Sequence, residues 1–146
     1  MKQNIAIYKF PEQVAVAFEF LQEYGFVGVA SSLVKVRYES DKVYLEILFG
    51  ELDGEVSITF GRIGKNEEFS FTLFLRLVSP ALEKQIGERL VEHPNQVHDC
   101  LAKLSAALLS EGKDILRGED RIFDRMKEVR WWDFQPEALK ENPEKP

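Results

Sequence analysis

Apolar and polar residues alternate through the middle of the chain. Val34, Val36 and Tyr38 enclose Lys35 and Arg37, and Val43, Leu45, Ile47 and Phe49 enclose Tyr44, Glu46 and Leu48. Val56, Ile58 and Phe60 enclose Ser57 and Thr59; Phe69, Phe71, Leu73 and Leu75 alternate with Ser70, Thr72, Phe74 and Arg76. A period of two, rich in β-branched and aromatic residues, predicts half-buried strands. Turn residues separate the runs at 39–42, at 50–55 around Asp53-Gly54, and at 61–68 with Gly64 and Asn66. Pairing Tyr38 with Val43, Phe49 with Val56 and Phe60 with Phe69 puts every large apolar row on one face. Val36 then meets Leu45, Val34 meets Ile47, Lys35 meets Glu46, Ile47 meets Ile58, and Ile58 meets Phe71. A slip of one residue would turn each row to water, so the pattern predicts a four-stranded antiparallel meander.

The flanks show helical spacing. Residues 11–24 carry Val14, Phe18 and Leu21 on one stripe, with Pro11 in the first turn and Gly25 as the stop. Beyond the sheet, Ser79-Pro80 opens a helix with Leu82, Ile86 and Leu90 on one side. Pro94 breaks that pattern. A longer helix follows over 95–111 (Val97, Leu101, Leu104, Leu108), then a last one over 119–129 (Ile122, Phe123, Met126). Trp131-Trp132 comes next. The stretch from Pro136, with its prolines and charges, is expected to be a disordered tail over 136–146. The expectation is an α+β fold: an N-terminal helix, the meander, and three C-terminal helices that cover the sheet's apolar face in two layers, within one domain over 1–135.

Size and charge narrow the functions. The chain has 146 residues, enough for one self-sufficient core. Its only cysteine is Cys100, so no internal disulfide can form. The N-terminal residues lack the apolar core of a secretory signal, and no apolar run reaches the ~20 residues that span a bilayer; a cytoplasmic location without membrane attachment is expected. The formal net charge of −6 disfavours nucleic acid as partner and favours a basic protein surface.

Candidate chemistry is thin. His93, His98, Asp99 and Cys100 lie close in sequence, but successive helix positions point about 100° apart and cannot converge on a metal. They read as a linker residue (His93), a helix surface (His98) and a packed thiol (Cys100). Gly61-Arg62-Ile63-Gly64-Lys65 lacks the spacing of a phosphate loop and reads as a turn. Asp120, Asp124 and Glu128 are interleaved with Arg117, Arg121 and Arg125, which reads as a salt-bridged helix surface. No catalytic constellation, metal or cofactor is expected, and the chain reads as a non-enzyme.

The sheet's polar face, with aromatics among charges, suits a protein partner. The candidate contact residues are Arg37, Tyr44, Glu46 and Phe74 on that face. To these are added Glu39 and Asp41 at the first turn, Glu51, Asp53 and Glu55 at the second, and Trp132. Because successive turns of a meander lie at opposite ends of the sheet, the acidic turns form two clusters. The order of elements, with Tyr24-Gly25-Phe26, Val36-Arg37-Tyr38-Glu39-Ser40-Asp41-Lys42-Val43 and Leu116-Arg117-Gly118-Glu119-Asp120, resembles small uncharacterised bacterial α+β proteins. Some of these look like immunity proteins of toxin systems. The resemblance covers about residues 11–130 and implies a protein that binds and blocks a toxin. The alternatives are a small-ligand binder or enzyme with a pocket between sheet and helices, and a homo-oligomeric scaffold.

Overall fold

The structure is a computed structural model and describes residues 5–129. The expectations about Trp131, Trp132 and the tail over 136–146 lie outside the described residues. The fold is α+β. Five antiparallel strands lie in sequence order: β1 (Val27–Ser31), β2 (Lys35–Glu39), β3 (Val43–Phe49), β4 (Val56–Arg62) and β5 (Phe69–Ser70). Six α-helices accompany them: α1 (Phe10–Ala17), α2 (Phe71–Val78), α3 (Pro80–Ile86), α4 (Val97–Glu111), α5 (Lys113–Leu116) and α6 (Asp120–Met126). The inward rows of the sheet, Val36, Leu45, Ile47, Ile58 and Phe60, join Phe10, Val14, Phe74, Leu101, Leu108 and Phe123 in one core. Burying such side chains contributes roughly 1.5–3 kcal/mol each.

The N-terminal helical pattern divides in two. α1 ends at Ala17, and a 3-10 turn runs over Glu19–Tyr24 to Gly25 at φ 85°. Phe18 and Leu21, three apart, are both buried; a 3-10 turn aligns positions i and i+3 on one side.

Hairpin parity holds, but one register is moved by two residues. Val36 faces Ile47, Tyr38 faces Leu45 and Arg37 faces Glu46. The cause lies in the turn: the Ser40 amide donates to the Val43 carbonyl at 2.9 Å. The Ser40 hydroxyl also accepts from the Lys42 and Val43 amides. The loop is thereby tightened to Asp41-Lys42. Phe49–Val56, Ile47–Ile58 and Phe60–Phe69 pair as the sequence predicts.

The fourth predicted strand is corrected. Only Phe69 and Ser70 are extended; Phe71–Val78 is helix α2. The Ser70 hydroxyl caps it by accepting from the Leu73 amide at 3.3 Å. Phe71, Phe74 and Leu75, at i, i+3 and i+4, are all buried. With 73–75 entirely apolar, the segment satisfies both periods, and the helical one buries more. Ile58 therefore does not meet Phe71 across a ladder. α3 stops at Gly87, so Leu90 is not helical and instead bridges Glu55 beside β4. Among the described residues, five α-helices, not three, follow the sheet.

Strand β1 was not foreseen. Val27-Gly28-Val29-Ala30-Ser31 has no alternation to reveal it, and all five residues are exposed. It pairs with β2 through a bulge between Gly28 and Ala30.

Candidate functional site

Four of the sequence's candidate contact residues meet on the outer face of the sheet. The moved register sets Arg37 opposite Glu46, and its Nη1 donates to Glu46 Oε2 at 2.8 Å. Arg37 Nε donates to Glu39 Oε2 at 2.9 Å, and the guanidinium lies 4.3 Å from the centre of the Tyr44 ring. Lys35 adds a diagonal ion pair to Glu46 at 3.5 Å. Burial acts to lower the Arg37 pKa, but the hydrogen bonds to Glu46 and Glu39 leave it raised. The cluster satisfies its own charges.

Tyr44 is itself buried. Its hydroxyl donates to the Glu67 carbonyl at 2.6 Å, and its ring covers Gly61, where an added Cβ would sit 2.7 Å from a ring carbon. Burial, followed by the nearby Glu68 and Glu46 charges, pushes its phenol up.

The remaining candidates lie apart. Asp41 is exposed in the β2–β3 turn. Glu51 and Asp53 are exposed at the other end, beside Leu52 at 89% exposure. Asp53 Oδ1 accepts from the Glu55 amide at 3.0 Å, and Glu55 pairs with Arg89 at 3.6 Å. Gly54, at φ 73°, lies against the Val91 backbone, where an added Cβ would come within 2.5 Å of the carbonyl oxygen. Phe74 is corrected outright. It faces the interior on α2 at 2% exposure, because the segment is helical, and it cannot contact a partner. Trp132 lies outside the described residues.

A second polar network was missed by sequence reasoning. Arg62, at the inner end of β4, is only 6% exposed. Its Nε donates to Glu67 Oε1 at 3.0 Å, and its Nη2 binds Glu67 Oε2. Nη1 donates to Asp120 at 3.0 Å and Nη2 to Asp124 at 3.1 Å; the guanidinium centre lies 5.2 Å from that of the Phe123 ring. The hydrogen bonds to Glu67 raise the Arg62 pKa against the opposing effect of burial. Hydrogen bonds from Arg62 hold the Glu67 carboxyl below the usual glutamate range, again against burial. Asp120 and Asp124, one turn apart, look inward at Arg62 as well as out to solvent. The only sequence signal was an arginine in the inward parity of Val56, Ile58 and Phe60.

The second missed feature is the free edge of the sheet. β1 is hydrogen-bonded to β2 on one side and has no partner on the other among the described residues. Val27 is 61% and Val29 48% exposed, and residues 25–34 carry no charge. Edge strands usually carry lysine or proline against unwanted pairing; this one has only its bulge. On the helix side of β1 runs an open groove of about 600 Å³, lined by Phe18, Leu21, Phe26, Gly28 and Tyr38, with Glu19 as its only charged residue among those described. Burial raises the Tyr38 phenol pKa.

Arg62 has each guanidinium nitrogen on a carboxylate. His98 Nδ1 lies 3.6 Å from Asp99 Oδ1 on an exposed helix face; Cys100 is half-buried, and burial raises its thiol pKa. The Gln96 side chain accepts from the His93 amide at 2.9 Å, fixing the start of the 3-10 turn over Pro94–Gln96 that precedes α4. Among the described residues, no group of three or more His, Cys, Asp or Glu side chains could hold a metal ion. No helix among them is long and apolar enough to cross a membrane.

Fold and surface thus define an α+β fold built on a five-stranded antiparallel sheet with the exposed strand β1 at one edge. Compared with protein-family models, curated proteins and solved structures, the chain matches none.

Proposed function

We propose that the chain is a non-enzymatic protein-binding domain whose contact surface includes the open edge of β1. The observation that carries this reading is a strand exposed along its whole length, uncharged, with a free hydrogen-bonding edge. Such an edge is a template for another chain. The net charge of −6 would speed encounter with a basic partner. A toxin neutralised by this contact is the partner class that the sequence resemblance suggests.

The test compares the native chain with Val27→Lys/Val29→Lys, which places two charges on the edge. Both proteins are titrated against the purified products of neighbouring genes, including any toxin, by calorimetry. Binding by the native chain, weakened at least about tenfold in the variant, is expected, since an apolar interface excludes unpaired charge. Equal binding by both proteins would move the contact surface elsewhere. Failure of the native chain to bind any of those products or relieve their toxicity would end the toxin reading.

A further inference from the structure

Resting on the reading of β1 as a contact edge, we infer that its partner is an extended segment of another protein, carrying one apolar side chain and a basic residue on the same face. The segment would add to β1 as a sixth strand.

The inference follows from what lies beside the edge. Residues directly opposite each other in a ladder point to the same face. Gly28 pairs with Tyr38, whose parity is that of Val36 on the core side. A residue placed opposite Gly28 on an added strand would therefore point to the helix side of the sheet, where the groove lies. Gly28 itself brings no side chain to it. Exposed Ala15 and Val27 and half-buried Tyr38 line the groove over buried Phe18, Leu21 and Phe26, an apolar lining that suits an aliphatic group. The groove's only charge is Glu19, exposed and without an ion pair among the described residues. A lysine or arginine two positions from the apolar anchor shares its face and is opposite in charge to that carboxylate.

A second copy of this chain is the poorer occupant. The segment 25–34 has no basic residue to meet Glu19, and pairing two chains of charge −6 opposes association.

The test uses the full chain and a short end-blocked peptide of threonine and valine with one leucine and, two positions on, one lysine. Binding is read by fluorescence anisotropy, and its location by amide shifts in two-dimensional NMR. The leucine–lysine peptide should shift the amides of residues 27–31. Replacing its lysine by glutamate should weaken it about fivefold, the scale of an exposed ion pair. Replacing its leucine by serine should weaken it at least about tenfold. Gly28→Val should cost the leucine peptide a similar factor while leaving the fold intact. An added Cβ there meets nothing closer than Tyr38 Cε1 at 3.8 Å. Glu19→Lys should reverse the charge preference.

Peptides that shift residues 27–31 regardless of charge and anchor would overturn this partner chemistry and leave the protein-binding reading standing. A dimer in which those amides are protected from exchange, with no peptide bound, would make a second copy the occupant and overturn the inference. No shift with any peptide and no dimer would remove both the inference and the β1 edge as contact surface.

Discussion

Arg62 meets a carboxylate at each nitrogen of its guanidinium, whereas strand β1, which carries no charge, leaves its outer backbone edge without a partner among the described residues. The two regions reverse a common expectation. Arg62 and Glu67, in a segment that reads as a turn, are buried against each other, and Asp120 and Asp124, which read as a salt-bridged helix surface, pair with Arg62 while staying largely exposed. The uncharged segment is the one left open. Contact potential here depends on which groups lack partners, not on which carry charge.

The largest effect should come from breaking the satisfied side of that comparison. Arg62→Met leaves the Glu67 side chain, 4% exposed, without its main cation. Urea denaturation should show a loss of about 3 kcal/mol, because a buried carboxylate stripped of its partner is costly. Adding Glu67→Gln should recover part of that loss, since the stranded charge is gone. A full-sized loss persisting in the double variant would mean that the arginine acts chiefly by packing on Phe123.

The same pair sets a pH dependence. Glu67 titrates lower in the folded chain than its ordinary value of 4.5, first because of the hydrogen bonds from Arg62. An acid with a lowered folded pKa stabilises the fold above its unfolded pKa. That contribution should shrink as pH falls below 4.5 and vanish once pH passes through the lowered value. Stability curves of the native chain and Glu67→Gln, measured in acid, should converge at the low end. Parallel curves would remove the ion pair from the acid response.

Tyr44→Phe tests the strap between the outer cluster and the Arg62 loop. It removes the donor to the Glu67 carbonyl and should cost about 1 kcal/mol, the worth of one hydrogen bond. Amide exchange of residues 61–67 should quicken. The smallest effect belongs to the open side: Val27→Lys should change stability by no more than about 0.5 kcal/mol, because the valine is 61% exposed. A large loss would show that the edge is part of the packed structure after all.

The outer-face cluster was legible as a set and blurred in its pairings. Arg37, Tyr44 and Glu46 follow from strand alternation, but the tight Asp41-Lys42 turn decided that Arg37, not Lys35, faces Glu46. Phe74 was misplaced because consecutive apolar residues satisfy two periods at once. The Arg62 network was illegible because Glu67 sits in what reads as a turn and the other two carboxylate partners lie 58 and 62 residues away on α6. β1 was hidden because a strand exposed on both faces has no reason to alternate.

The sequence by itself determined the fold class, the inward parity of β2, β3 and β4, and the stripe of α4. Each follows from a local period that sorts apolar side chains from water. Only the tertiary structure decided which strand register closes, whether residues 71–78 extend or coil, where the Arg62 guanidinium is neutralised, and which edge of the sheet is left open. Those outcomes depend on contacts between distant segments, and a local pattern carries no information about the partner it will meet.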